Sequence, residues 1–129
     1  METKRQKQVA ELIKRNFSMV LQQEGSYIYG SDVMVTVTNV KMSPDLTLAK
    51  IYVSVYNTDN KQEAILGLEE NLTRLRQSLA TRIRRRVRRI PDISVFLDDT
   101  IDEMYRMEAL FKKLYEENQM GEPRDEEEQ

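Results

Sequence analysis

No cysteine and no histidine occur in the 129 residues of this chain. Without cysteine, neither a disulfide framework nor a thiolate metal site can form. Without histidine, the commonest general base and the commonest metal ligand are both missing. Most familiar catalytic and zinc constellations are thereby excluded, so the expectation is a non-enzyme with no cofactor, no metal and no small-molecule substrate. Long apolar runs are lacking as well. No stretch approaches the roughly 20 residues that span a bilayer, and Met1–Lys7 leads into an amphipathic segment rather than the apolar core of a secretory signal. These features predict a cytoplasmic, soluble protein with no membrane partner.

The hydrophobic content of 40% can build one core, and 33% charged residues imply a heavily solvated exterior. The net charge of −2 conceals segregation. Seven acids and one Arg124 fall between Glu116 and Gln129, which leaves a body of +4 in side-chain charge. A terminal block of like charge marks a solvated tail. The expected division is a domain over residues 1–115 and an acidic, disordered tail over 116–129.

Val9, Leu12, Ile13, Phe17, Val20 and Leu21 follow the spacing of a helix with one buried stripe. Thr3 is placed to cap it and Gly25 to stop it. Residues 25–32 read as a loop. Val33, Val35 and Val37 alternate with Met34, Thr36 and Thr38, and Ala49, Ile51, Val53 and Val55 with Lys50, Tyr52, Ser54 and Tyr56, which predicts two antiparallel strands around a Ser43-Pro44-Asp45 turn. From Lys61 to Ile90 the period becomes helical, with an apolar stripe that includes Leu72, Leu75, Leu79, Ile83, Val87 and Ile90. Thirty residues is long for a compact domain, so two helices meeting at a bend near residues 71–74 are expected, stopped by Pro91. Ile93, Val95 and Leu97 form a third strand. Thr100 and Glu103 are spaced as a capping box for a last helix carrying Ile101, Met104, Met107, Leu110, Phe111 and Leu114, with Met104 and Met107 expected in the core. The fold class is α+β: a three-stranded mixed sheet, helices on one face, and a right-handed crossover into the third strand.

Arg74, Arg76, Arg82, Arg84, Arg85, Arg86, Arg88 and Arg89 fall within sixteen residues that contain no Lys, Asp or Glu. On a continuous helix Arg74, Arg84, Arg85 and Arg88 would lie opposite the apolar stripe, whereas Arg76 would fall inside it. Ordinary solvated helices mix charge signs for i, i+4 pairing; this one does not. Six arginines in Arg82–Arg89 repel one another unless a counter-anion is present. The guanidinium grips phosphate oxygens bidentately and stacks on exposed bases, so an arginine-rich helix that contacts RNA is expected. The competing reading is an adaptor whose basic helix grips an acidic protein. Arg76 falls inside the stripe and is either turned outward by the bend or extended to water along its stem.

Other candidates have plainer readings. Asp98, Asp99, Asp102 and Glu103 could take a hard cation, but helix capping accounts for them better. Tyr52 and Tyr56 fit cross-strand packing better than base stacking. Tyr27 and Tyr29 stand open between core anchoring and RNA contact.

Three pieces in order carry a family resemblance: Val40-Lys41-Met42-Ser43-Pro44-Asp45-Leu46, Ala49-Lys50-Ile51-Tyr52-Val53-Ser54-Val55, and Ile90-Pro91-Asp92-Ile93-Ser94-Val95-Phe96-Leu97-Asp98-Asp99. Together they resemble bacterial ribosome-binding factor A, over about residues 4–114, and Leu75-Arg76 is similar to that family's Ile-Arg pair after the bend. The resemblance implies a type-II KH-like fold and a monomer that binds the free small ribosomal subunit and its rRNA. It also implies support of late maturation and 5′-end processing of that rRNA, including at low temperature. The Gly-x-x-Gly loop of nucleic-acid-binding KH domains is absent, and Asn71-Leu72-Thr73 stands where the family has an Ala-x-Gly bend. Basic side chains, rather than a backbone clamp, would then carry the RNA contact.

Overall fold

The computed structural model describes residues 2–98 and 107–116, and the chain divides into two units, Met1–Asp98 and Asp99–Gln129. The first unit runs α1 (Lys4–Glu24), α2 (Ser26–Tyr29), β1 (Met34–Met42), β2 (Leu48–Tyr56), α3 (Lys61–Glu70), α4 (Leu72–Ile83) and β3 (Asp92–Leu97).

Thr3 opens α1 in a reciprocal cap. Its hydroxyl accepts from Gln6 N at 3.1 Å, and its own N–H donates to Gln6 Oε1 at 2.7 Å. Gln6 is buried because its Nε2 also donates to the Met42 carbonyl at 3.0 Å, tying the start of α1 to the end of β1. The predicted stripe is inside: Val9, Leu12, Ile13, Phe17, Val20 and Leu21 are all buried. Each such side chain contributes roughly 1.5–3 kcal/mol of burial.

Gly25 ends α1, but the segment after it is more ordered than the loop expected there. Ser26–Tyr29 forms one helical turn, and Gly30 leaves it at φ 92°. A Cβ on Gly25 would sit 2.0 Å from Tyr29 Oη and 2.5 Å from the Leu21 carbonyl oxygen, so only glycine fits this corner.

The sheet order is β1-β2-β3, with β1 and β2 antiparallel and β2 and β3 parallel. Ala49, Ile51, Val53 and Val55 on β2 face the helices and are buried, as their alternation predicts. β1 is longer than its Val33, Val35, Val37 pattern suggests. The register shifts between Val37 and Asn39, so the inward positions change from Val35 and Val37 to Val40 and Met42. A bulge inserts one residue and so changes which parity faces the core. The extra residue is Thr38, whose hydroxyl lies 2.6 Å from Asp98 Oδ2.

The predicted bend is at Asn71, between α3 and α4. Its Nδ2 donates to the Gly67 carbonyl at 2.8 Å, so the side chain takes an acceptor belonging to the previous turn. The backbone there leaves helical geometry, with φ −111° and ψ 15°.

The second half of the run departs from expectation. α4 ends at Ile83, not at Ile90 before Pro91. The reason lies in the crossover: α4 returns along the sheet, and twelve helical residues rise about 18 Å, close to the roughly 20 Å of a six-residue strand. The helix must stop where the chain turns into β3. Residues 84–91 make that turn, with Arg86 N–H donating to the Ile83 carbonyl at 2.8 Å and Asp92 N–H to Thr47 O at 2.8 Å.

In the second unit, residues 107–116 are helical. Met107, Leu110, Phe111 and Leu114 on that helix are exposed, contrary to the core role expected of Met107. The Thr100 and Glu103 cap, Ile101, Met104 and the tail beyond residue 116 lie outside the described residues.

Candidate nucleic-acid interface

The structure divides the eight arginines into two groups. Three lie on α4, and each has a partner inside the domain. Arg74 Nε is 3.3 Å from Glu24 Oε1, an ion pair at the far end of α1. Arg82 donates from Nε to Asn16 Oδ1 at 3.2 Å and from Nη2 toward Met19 Sδ, again on α1. Arg76 donates from Nε to the Pro91 carbonyl at 2.9 Å and from Nη2 to the Ile90 carbonyl at 2.8 Å, and its Nε lies 3.5 Å from Asp92 Oδ1.

The other five, Arg84, Arg85, Arg86, Arg88 and Arg89, are not helical residues. They occupy the connection between α4 and β3, so the arginine-rich surface is a loop springing from a helix C-terminus rather than a helix face. All five are exposed, and none of their side chains has a hydrogen bond or ion pair among the described residues. Their position suits the helix macrodipole, whose negative end favours cations in the last turn and just beyond it. The loop is nonetheless anchored. Ile83 and Pro91 are fully buried, and Val87 and Ile90 pack half-buried against the core. Thus the apolar residues expected on a helical stripe still point inward, although the backbone that carries them is not helical.

Arg76 explains how such a segment holds its shape. A loop outside helix and sheet leaves carbonyls without ladder partners, and the Arg76 guanidinium satisfies two in succession. Its side chain is 41% exposed, in keeping with an outward position, and its guanidinium also donates to the loop.

Beside the loop lies a cavity of about 350 Å³, walled by Arg5 and Val9 of α1, the turn at Asp45–Thr47, and Val87–Arg89. In that turn Asp45 Oδ1 accepts from Ser43 Oγ at 2.7 Å, Thr47 Oγ1 at 2.7 Å and Thr47 N at 3.2 Å. Those bonds, the Ser43 hydroxyl first, hold the Asp45 carboxyl below its ordinary value of 3.8. Leu46 follows at φ 62° and packs against the core. The cavity joins residues far apart in sequence, and no local pattern marks it.

The model of the family described as ribosome-binding factor A matches residues 5–111. The chain belongs to the ribosome-binding factor A family. Its members are assembly factors rather than enzymes. The chain is 35% identical over 114 residues to ribosome-binding factor A of Cytophaga hutchinsonii, covering 88% of this chain and 85% of that one. It is 30% identical over 108 residues to the protein of Flavobacterium johnsoniae, covering 84% and 83%. Its fold is similar to that of ribosome-binding factor A from Thermus thermophilus, with a TM-score of 0.59, 22% identity, and coverage of 71% of this chain and 94% of that one. The type-II KH-like expectation is therefore met. A Thermus thermophilus homology model fitted into a cryo-EM map of a 30S–ribosome-binding factor A complex is also similar, with a TM-score of 0.51 at 22% identity over 67% of this chain and 92% of that one.

The other aromatic candidates also resolve. Tyr52 stacks on its register partner Phe96, with centroids 5.5 Å apart and planes at 29°, in keeping with cross-strand packing. Tyr29 packs against the corner at Gly25, where burial raises its phenol above the ordinary pKa of 10.0, whereas Tyr27 is exposed. Of the four acids weighed as a cation site, Asp98 engages Thr38, and the other three lie outside the described residues.

Proposed function

We propose that this protein binds the free small ribosomal subunit as an assembly factor and contacts its rRNA through the arginine loop. The observation that carries the proposal is the set of five exposed arginines with no anion inside the described domain, on a loop fixed at both ends. No anion among the described residues relieves the repulsion among them, and the phosphodiester backbone of RNA supplies one at each nucleotide. Membership of the family supports the choice of the small subunit, as does the likeness to a neighbour fitted in a 30S complex. Late maturation and 5′-end processing of the rRNA follow from the same family reading.

Within the eight arginines the roles divide. Arg84, Arg85, Arg86, Arg88 and Arg89 contact phosphate. Arg74 and Arg82 lie on the flank and reach RNA only by exchanging Glu24 or Asn16 for it, while Arg76 positions the loop. The protein acts as a cytoplasmic monomer, with residues 1–115 as its RNA-binding part and 116–129 as a solvated tail. Sedimentation of cell extract tests the assembly role: the protein co-migrates with free small subunits, and an even spread over free protein and polysomes contradicts it.

A further inference from the structure

We infer that the cavity between α1, the β1–β2 turn and the arginine loop is a nucleotide pocket that takes one unstacked base of single-stranded RNA, preferring a base with an exocyclic amine. This deepens the RNA-binding reading and rests on it.

The cavity combines the two surfaces a nucleotide needs. Val9, Leu46 and Val87 are apolar walls, and burying a flat base against aliphatic groups is favourable where it leaves water behind. Arg5, Arg88 and Arg89 line the same cavity, and none of them pairs with an acid among the described residues. Three guanidiniums against one carboxylate leave a surplus of positive charge suited to a phosphodiester. A cavity of about 350 Å³ is at the small end of ligand sites, which fits one nucleotide rather than a stacked run.

Asp45 supplies the selectivity. It shares the cavity with three arginines, yet its Oδ1 is committed to Ser43 and Thr47 within its own turn. Asp45 is exposed, and the hydrogen bonds it accepts from Ser43 and Thr47 all fall on Oδ1 rather than Oδ2. An ionised carboxylate only accepts hydrogen bonds. Adenine, cytosine and guanine each carry an amine that projects beyond the ring and can donate to it. In uracil the one edge donor sits between two carbonyl oxygens, which a carboxylate repels.

The walls are pre-formed, which lowers the cost of binding. The turn is closed by its Asp45 bonds, the loop by Arg76, and the two are joined where Asp92 N–H donates to Thr47 O at 2.8 Å. The pocket lies at the end of the domain where α4 finishes and α1 begins, not at the Asn71 bend where a KH clamp would sit.

The test uses the full chain and fluorescein-labelled uridine hexanucleotides in which one central position is uridine, adenosine, cytidine, guanosine or an abasic residue. Anisotropy titrations are expected to give about tenfold tighter binding for each of the three amine-bearing bases than for uridine or the abasic probe, the worth of one hydrogen bond to a charged group. Asp45→Asn is expected to bring those preferences within about twofold, and preferences that persist at about tenfold in a folded Asp45→Asn variant overturn the assignment of Asp45. The wild-type comparison alone decides the point if that variant does not fold. Equal binding of all five probes, with affinity that still falls in an Arg84→Ala, Arg85→Ala double variant, overturns the pocket and leaves the arginine-loop proposal standing. Absence of salt-sensitive RNA binding of any kind overturns both.

Discussion

The Arg76 guanidinium donates to the carbonyls of Ile90 and Pro91 at 2.8 and 2.9 Å, so the last turn of the arginine loop is hung from a side chain two helical turns earlier in α4. A charge that could have served RNA directly instead holds the segment proposed to contact it. Replacing Arg76 with Ala leaves two carbonyls without a protein donor and is expected to cost about 1–3 kcal/mol of stability, read as a shift in the urea midpoint. Lysine cannot fork between two carbonyls, so Arg76→Lys is expected to recover less than half of that. Full recovery by lysine would mean that charge alone matters at this position.

Asn71 makes the bend between α3 and α4 by donating to Gly67 O at 2.8 Å. Asn71→Ala removes the bond and substitutes a stronger helix former, which favours one straight helix. The expected loss is about 1 kcal/mol, with increased amide exchange at Leu72 and Thr73 as the local signature. A variant as stable as the wild type, with unchanged exchange, would show that packing of Leu68 and Leu75 sets the bend.

At Gly25 a methyl group has no room, because Tyr29 Oη and Leu21 O both lie within 2.5 Å of its Cβ position. Gly25→Ala is expected to destabilise by about 1–3 kcal/mol, the usual range for overpacking. Gly25→Ala combined with Tyr29→Phe should recover part of this by removing the nearest atom. Thermal denaturation of the two variants makes the comparison.

Asp45 gives a pH signature. Its folded pKa lies below 3.8, held there first by the Ser43 hydroxyl and then by Thr47. A group with a depressed folded pKa contributes stability above its unfolded pKa and loses it as pH falls through the folded value. The contribution is therefore complete above pH 3.8 and disappears below it. A carbon-detected NMR titration should place the Asp45 midpoint below 3.8, and Ser43→Ala should move it upward. A midpoint at or above 3.8 in the wild type would mean that the turn does not hold its carboxylate.

Much of this architecture can be read from local pattern. The stripe of α1, the alternation of β2 and the break at Asn71 each follow from spacing and side-chain chemistry within a few residues. The end of α4 does not. Leu79, Ile83, Val87 and Ile90 keep helical spacing, and no Gly or Pro interrupts them before Pro91, so nothing local stops the helix at Ile83. The sheet's length stops it, and that is a property of the tertiary fold. The bulge at Thr38 is similarly silent, since Val35, Val37, Val40 and Met42 come to share the inward face only once β2 fixes the register. Arginine clustering marked the candidate interface, yet the sequence could not separate arginines bound to the domain from those whose side chains have no partner among the described residues. Glu24, Asn16 and the Ile90 and Pro91 carbonyls make that division, and they meet Arg74, Arg82 and Arg76 only after folding.

The central claim is that the arginine loop supplies the phosphate contacts, and salt dependence measures it most directly. Binding to purified free small subunits is titrated across a range of salt for the wild type and for a variant with Arg84, Arg85, Arg86, Arg88 and Arg89 changed to Ala. Each phosphate neutralised on single-stranded RNA contributes about 0.7 to the slope of log affinity against log salt. The account predicts that the variant binds more weakly and loses about 3.5 from that slope if all five engage. An unchanged slope and affinity in a folded variant would contradict it.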